Sequence, residues 1–223
     1  MKILAVDTAL GACSVALLDG ERVLAHRFML MERGHAEALA PMVDEAMRAA
    51  GAAFAEIDRL AVTTGPGTFT GQRVGLAFMR GLRVALEKPL AGITTLEAMA
   101  AAARDEAGVE FAAALHDARR GEVYAYAGSR AQAILPVSIA LFEDAVKDIH
   151  QAMAGKNALA FAGTAAEAAA REYERLGGRA TLTAVRQPDA LWVARLAARL
   201  PEPAEVPRPL YLRAPDAKLP GTK

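Results

Sequence analysis

The chain has 223 residues, 53% of them hydrophobic, enough to fill one large core or two smaller ones. Lys plus Arg number 26 and Asp plus Glu 26, so no net positive field marks a stand-alone nucleic-acid binder, and any nucleic acid is expected to be held mainly by a partner. The single cysteine, Cys13, excludes a disulfide framework and Cys-rich metal clusters; no run nears the roughly 18 apolar residues of a membrane span, and Asp7 comes too early for a signal peptide, so a cytoplasmic protein is expected.

In chain order, an apolar run from Lys2 ends at Asp7. A second, residues 13–18, closes with the turn Asp19-Gly20 before Glu21-Arg22-Val23-Leu24 resumes a strand pattern. Three antiparallel strands are therefore predicted to open the chain. Between 35 and 50, Leu39, Met42, Val43, Ala46 and Met47 recur at the spacing of an amphipathic helix that stops at Gly51, with Pro41 expected to start it late or kink it. Residues 57–63 read as buried strand, 70–86 as helix, 90–93 as strand and 95–104 as helix, an alternation that argues for a parallel portion of sheet. The alanine runs at 98–103 and 165–170 read as helix-favouring composition with little functional content.

The pattern breaks at Asp105-Glu106-Ala107-Gly108 and restarts with an apolar run over 111–116, Asp117, a turn at Arg119-Arg120-Gly121 and a strand over 122–127. Asp7 precedes Gly11, and Asp117 precedes Gly121, by the same interval, each pair lying between two strand-like runs, as a duplicated two-lobed fold would require. Helices near 142–153, 165–175 and 188–200 and a strand at 158–162 complete the second half, and the six prolines from Pro201 to Pro220 predict an extended tail. The predicted organisation is a first lobe of residues 1–104, a second of 105–200 and a proline-rich tail of 201–223.

The segment Gly65-Pro66-Gly67-Thr68-Phe69-Thr70-Gly71-Gln72-Arg73-Val74-Gly75 is a glycine-rich loop that follows a strand and feeds a helix capped by Thr70. Such a loop can aim backbone N–H groups at an anion, or it can be a turn that needs glycine's φ range. It is no P-loop, because Gln72-Arg73 stands where a Lys-Ser/Thr pair would be. In the helix that follows, Val74, Ala77, Phe78, Gly81, Leu82 and Ala85 form one stripe while Leu76, Met79 and Val84 lie away from it, so two neighbours are expected. Gly71 with Gly75, and Ala77 with Gly81, would let a second helix approach closely, from a partner or from within the domain.

Asp7 and Asp117 each end a strand beside a hairpin; with Thr8, Gly65 and Gly67 they are candidates for a nucleotide site or for purely structural roles. His26, His35, His116 and His150 include no pair at the spacing of a metal-binding helix face, and Ser14, Ser129 and Ser138 lack the setting of an activated nucleophile. Arg119 and Arg120 could bind an acidic group at their turn.

Ile3-Leu4-Ala5-Val6-Asp7-Thr8, His35-Ala36-Glu37-Ala38-Leu39-Ala40-Pro41, the glycine loop, Asp117-Ala118-Arg119-Arg120-Gly121-Glu122-Val123-Tyr124 and Pro209-Leu210-Tyr211-Leu212-Arg213 together resemble the TsaB (YeaZ) family, in the same order from end to end. The resemblance implies an α/β, actin-like ATPase (RNase H-like) fold of two duplicated lobes, each a mixed sheet flanked by helices. It implies a non-catalytic helper of the catalytic subunit TsaD, with TsaE as associated ATPase, in the transfer of threonylcarbamoyl to N6 of adenosine 37 of tRNA. No cofactor of its own is implied, although ATP or ADP has a place at the subunit junction of the complex. Transfer RNA would be met only through the complex, and a homodimer would form when TsaD is absent. By the same resemblance the helices near 35–50 and 70–86 form the dimer face, with Leu39, Met42, Val43, Met47, Gly71, Val74, Gly75, Phe78, Met79 and Leu82 as contact residues.

In TsaD the helix after the next strand carries two histidines that hold the catalytic metal; Thr95 and Met99 stand at those positions here, and neither replaces an imidazole. Gln72 departs from the leucine of the family pattern and is expected to line a partner contact or face solvent, and Ala36 stands where serine is common. Two other readings stay open: a free-standing ATPase or small-molecule kinase of the same fold, motivated by Asp7, Asp117 and the glycine loop, and a peptidase, which lacks both nucleophile and metal pair.

Overall fold

In the computed structural model, which describes residues 1–153 and 158–213, strand β1 (Lys2–Asp7) sends Leu4 and Val6 to one face of its sheet and Ile3 and Ala5 to the other, and all four are fully buried. That double burial follows from alternation with apolar residues on both faces, the signature of a strand covered on both sides. β2 (Ala12–Asp19) and β3 (Arg22–Leu30) extend the sheet by antiparallel pairing, while β4 (Arg59–Thr63) and β5 (Leu90–Ile93) add to its other edge in parallel, giving the order β3-β2-β1-β4-β5.

The second half repeats the plan. β6 (Phe111–Asp117), β7 (Glu122–Gly128) and β8 (Ala133–Leu141) form an antiparallel meander, and β9 (Leu159–Ala162) and β10 (Ala180–Leu182) continue in parallel in the order β10-β9-β6-β7-β8. Asp7 and Asp117 close the equivalent strands β1 and β6. Two mixed sheets of one topology, each flanked by helices, are the duplicated α/β fold of the actin-like class expected from sequence.

α1 (His35–Ala49) and α2 (Phe69–Leu86) cover one face of the first sheet, where Leu39, Val43, Leu76 and Met79 meet Leu4, Val6, Leu60 and Val62. α4 (Phe142–Ala152) and α5 (Ala166–Arg175) cover the outer face of the second. Between the sheets lie α3 (Thr95–Ala107) and α6 (Ala190–Ala197), in mutual contact. Here the helices depart from the division at residue 104. α3, from the first half, packs on β6, β7 and β9, whereas α6, from the second half, packs on the first sheet through Ala190, Val193, Ala194 and Ala197.

Both ends of α6 are bonded to that sheet. Asp189 Oδ1 accepts from Leu191 N at 2.8 Å as its N-cap and meets His26 Nε2 at 2.8 Å, and Ser14 Oγ accepts from Ala190 N at 2.8 Å. At the other end Arg59 Nη1 donates to the carbonyls of Ala197 and Leu200 at 2.6 and 2.7 Å, satisfying groups the last helical turn leaves open.

Several local expectations are corrected. The alanines at 98–103 are structural, all buried, and their small side chains let α3 lie close between α6 and Ala112, Ala114, Ala160 and Ala162 of the second sheet. α1 begins at His35 despite Pro41, which sits exposed within it. The cap of α2 is Thr68, whose Oγ1 accepts from Gly71 N at 3.0 Å, and not Thr70. β8 and β10 were not anticipated: β8 carries Pro136, tolerated because the strand is at an edge, and β10 has only three residues.

The tail from 201 to 213 returns along the first lobe, with Leu210 N donating to Thr64 O at 2.8 Å and Arg80 Nη2 to Pro207 O at 2.5 Å, and Arg213 forms an ion pair with Glu122 of the second lobe. The rest of the predicted tail lies outside the described residues. Among the described residues no helix is long and apolar enough to cross a membrane.

Candidate functional site

The glycine loop wraps around the corner that follows β1, and part of its backbone is bonded there. Thr68 N donates to Ala9 O at 2.8 Å, Gln72 N to Thr68 O at 3.1 Å, and Gly75 N to Thr8 Oγ1 at 3.0 Å, while Thr8 Oγ1 itself donates to Gly71 O at 2.7 Å. A Cβ at Gly67 would stand 2.3 Å from Ala9 O, and one at Gly71 2.2 Å from Thr8 O. These glycines let the start of α2 press against the backbone of residues 8 and 9, and Thr68 N and Gly75 N are taken up by that contact.

Asp7 is fully buried. Its Oδ1 accepts from Thr63 Oγ1 at 2.6 Å and from Ala9 N at 3.2 Å, and its Oδ2 has no partner among the described residues. Burial pushes its carboxyl up to about 7, against the opposing pull of the Thr63 and Ala9 bonds. Asp117, by contrast, is exposed and accepts from Arg119 N at 2.8 Å, the geometry of a turn residue, beside Arg119 and Arg120 in the left-handed region at φ 69° and 60°. Next to it, burial drives the imidazole of His116 down to about 4, and its Nδ1 has no partner among the described residues.

An interlobe cleft of about 570 Å³ is lined by Gly67, Thr68, His116, Asp117, Arg119, Gln187, Arg33 and Arg213, among others. Of the five candidates for a nucleotide or structural role, Gly67 and Asp117 reach this cleft, while Asp7, Thr8 and Gly65 are buried behind it. Sequence reasoning missed Gln187, whose Oε1 accepts from Gly11 N at 2.9 Å to join the lobes across the cleft, because nothing in its local sequence marks it.

The contact residues assigned to a dimer face divide sharply. Leu39, Met42, Val43, Met47, Gly71, Gly75 and Met79 are buried in the chain's own first lobe and offer no side chain to a partner. Gly71 and Gly75 face Thr8, and a Cβ at Gly75 would lie 2.7 Å from Thr8 Oγ1, so this glycine pair serves the fold and not a partner helix. Gln72 is likewise buried, 3% exposed, its amide lying over Gly65. It neither faces solvent nor lines a partner contact. Val74, Phe78 and Leu82 are half-buried along the margin of the core.

What α2 presents outward is a different row: Thr70, Arg73, Ala77, Gly81 and Val84, all exposed and spaced along one helical face. Val84 is 72% exposed and Phe69, at the head of the row, 56%. Gly81 has nothing within 4 Å of the position of a Cβ. At the N-terminal end Arg73 lies 3.5 Å over the Phe69 ring and donates through Nε to the Tyr211 hydroxyl at 2.8 Å, and Phe69 stacks on Tyr211 at 5.8 Å.

On α3, Thr95 and Met99 are both fully buried. Met99 joins Leu10, Leu96, Ala100 and Ala114 in the apolar cluster between the lobes, and Thr95 Oγ1 has no partner among the described residues.

The family model described as "TsaD: tRNA N6-adenosine threonylcarbamoyltransferase" matches residues 29–187. A solved structure titled YeaZ, from Pseudomonas aeruginosa, is 32% identical, covers 95% of this chain and 99% of that one, and superposes with a TM-score of 0.77. The chain belongs to the TsaB (YeaZ) family. A curated relative, the tRNA threonylcarbamoyladenosine biosynthesis protein TsaB of Escherichia coli (strain K12), is 44% identical over 124 residues, which are 56% of this chain and 53% of that relative. The chain thus spans about half the length of the curated TsaB relatives it matches. Beyond the TsaB family, the ROK hexokinase of Thermus thermophilus, 16% identical with a TM-score of 0.52 over 87% of this chain and 98% of that one, shares the fold alone.

Proposed function

We propose that the chain is a non-catalytic subunit of the complex that transfers threonylcarbamoyl to N6 of adenosine 37 in tRNA, and that it acts in the cytoplasm by supporting the catalytic subunit TsaD. The observation that carries this reading is the packing at Thr95 and Met99. Where the resemblance to TsaD calls for two metal-binding imidazoles, this chain buries a hydroxyl and a thioether, the latter inside an interlobe cluster of Leu and Ala side chains. A thioether is a poor ligand for a hard divalent ion, and an apolar cluster does not stabilise a bare charge.

The surface for TsaD, or for a second copy when TsaD is absent, is the outer row of α2, flanked by Val74, Phe78 and Leu82. Small residues at 77 and 81 allow close approach of a neighbouring helix, and Val84 and Phe69 supply apolar area that water now covers. TsaE and the tRNA would be met through the assembled complex, with ATP or ADP at a junction between subunits. Purified alone, the chain is expected to give no threonylcarbamoyl transfer, and to support transfer when mixed with TsaD, TsaE, substrate and tRNA. Transfer by the chain without TsaD would overturn the assignment.

A second reading, a free-standing ATPase or kinase, draws on the interlobe cleft. It is weakened by the glycine loop, where Thr68 N and Gly75 N already bond to residues 9 and 8, and by Asp7, which is fully buried. Calorimetric titration of the isolated chain with ATP and Mg²⁺ separates the two readings, because tight binding abolished by changes at Arg33 and Arg119 would favour the kinase.

A further inference from the structure

A second cavity, of about 580 Å³, shares no lining residue with the interlobe cleft. Its walls come from β5, α3, the turn between β7 and β8, and α6 with its exit, and four arginines border it: Arg104, Arg130, Arg195 and Arg199. The chain as a whole is neutral, yet this one concavity gathers four cations and a single acid, Glu97. That acid is already engaged: its Oε2 accepts from Thr94 Oγ1 at 2.6 Å and from Thr94 N at 3.2 Å, in the capping box of α3. None of the four arginines has a carboxylate partner among the described residues.

Arg104 is the fixed member. It is 5% exposed, projects from the middle layer of the molecule, and its Nη1 donates to Gly128 O at 3.2 Å. Burial lowers its proton affinity and Arg130 and Arg199 lower it further by repulsion, partly offset by Tyr126, so the site holds positive charge at a cost that the chain's own acids do not relieve. Arg195 rests 4.5 Å over the Trp192 ring, which holds its guanidinium at the cavity wall. A low-dielectric concavity lined by charge of one sign concentrates counter-ions, and planar guanidinium forks match phosphate oxygens two at a time. A lone carboxylate would answer one fork; linked phosphates answer several.

We propose that this cavity binds a small anion of the diphosphate class, either free pyrophosphate or a nucleoside diphosphate, with Arg104 as the buried anchor and Arg130, Arg195 and Arg199 closing on the outer oxygens. The volume is that of a small-molecule pocket, and its concave shape favours such a ligand over a nucleic-acid strand. The proposal is independent of the TsaD assignment.

The test is calorimetric titration of the full chain with pyrophosphate and, separately, with ADP, both without metal. The expected result is saturable binding that weakens as salt rises and falls about tenfold or more in the double variant Arg195→Gln, Arg199→Gln. Those two side chains make no hydrogen bond or ion pair that folding needs, so the thermal midpoint of that variant should match the parent. Arg33→Gln, in the interlobe cleft, should leave the affinity unchanged. Equal affinity for the two probes assigns the diphosphate alone as ligand, and tighter ADP binding assigns the nucleoside diphosphate. Absence of saturable heat with both probes overturns the proposal, as does binding that survives the double variant, binding lost only in Arg33→Gln, or arginine-dependent binding confined to an oligoribonucleotide.

Discussion

Two buried titratable side chains set opposing demands on the folded state. Asp7, raised from an ordinary 3.8 to about 7, binds its proton more readily folded than unfolded, so its contribution is complete below about pH 4 and is lost as pH rises through about 7. His116, lowered from 6.5 to about 4, has the reverse effect: its contribution is complete above pH 6.5 and lost as pH falls through about 4. At about 1.4 kcal/mol per pH unit, each is worth on the order of 3–5 kcal/mol, and over the shared window they largely cancel. Asp7→Asn should therefore leave a stability that rises steeply between pH 4 and 6.5 and exceeds that of the parent at pH 8. Chemical denaturation across pH 4 to 8 measures both, and a parent-like profile in the variant would exclude a buried, proton-holding Asp7. Neither effect was legible in sequence, where Asp7 and Asp117 look alike; only the packing of Thr63 and Ala9 around one of them separates a buried acid from a turn residue.

At the scale of the element, α2 carries glycines of two kinds. Gly75 is pressed against Thr8 and Val62, whereas Gly81 looks into open space. Gly75→Ala should cost about 1–3 kcal/mol through overpacking, while Gly81→Ala should stabilise the chain by about 0.5–1 kcal/mol by improving an exposed helix interior. Urea denaturation of the two variants gives both signs. The same helix explains why the fold was more legible than the site. Apolar spacing located α1 and α2 to within a residue or so, because burial on the sheet is what fixes that spacing. For that very reason Leu39, Met42, Val43, Met47 and Met79, picked as a partner surface, proved to be the face turned inward. The outer row overlaps the stripe read from sequence only at Ala77 and Gly81, because that stripe runs on into Val74, Phe78 and Leu82 at the margin of the core. Gln72 misled for a related cause: its polarity pointed outward, but Gly65 leaves room for its amide beneath the loop.

For the whole molecule, the outer row of α2 offers a clean separation of folding from association. Ala77→Glu with Val84→Glu places two charges on exposed positions and should change the unfolding free energy by no more than about 0.5 kcal/mol. It should nonetheless abolish co-elution with TsaD, since burying unpaired carboxylates in an interface costs several kcal/mol; undiminished co-elution would move the TsaD surface elsewhere. The exchange of α3 and α6 between the halves bears on a different matter. Gly108, in the left-handed conformation at φ 64°, ends α3 and opens the way to β6. A polypeptide nicked there would yield one fragment holding a helix built for its sibling's sheet and another holding the lid for the first. Expressed singly, each should be sticky and poorly structured; combined, they should reassemble, making this connection a natural place to split the protein into a complementing reporter pair.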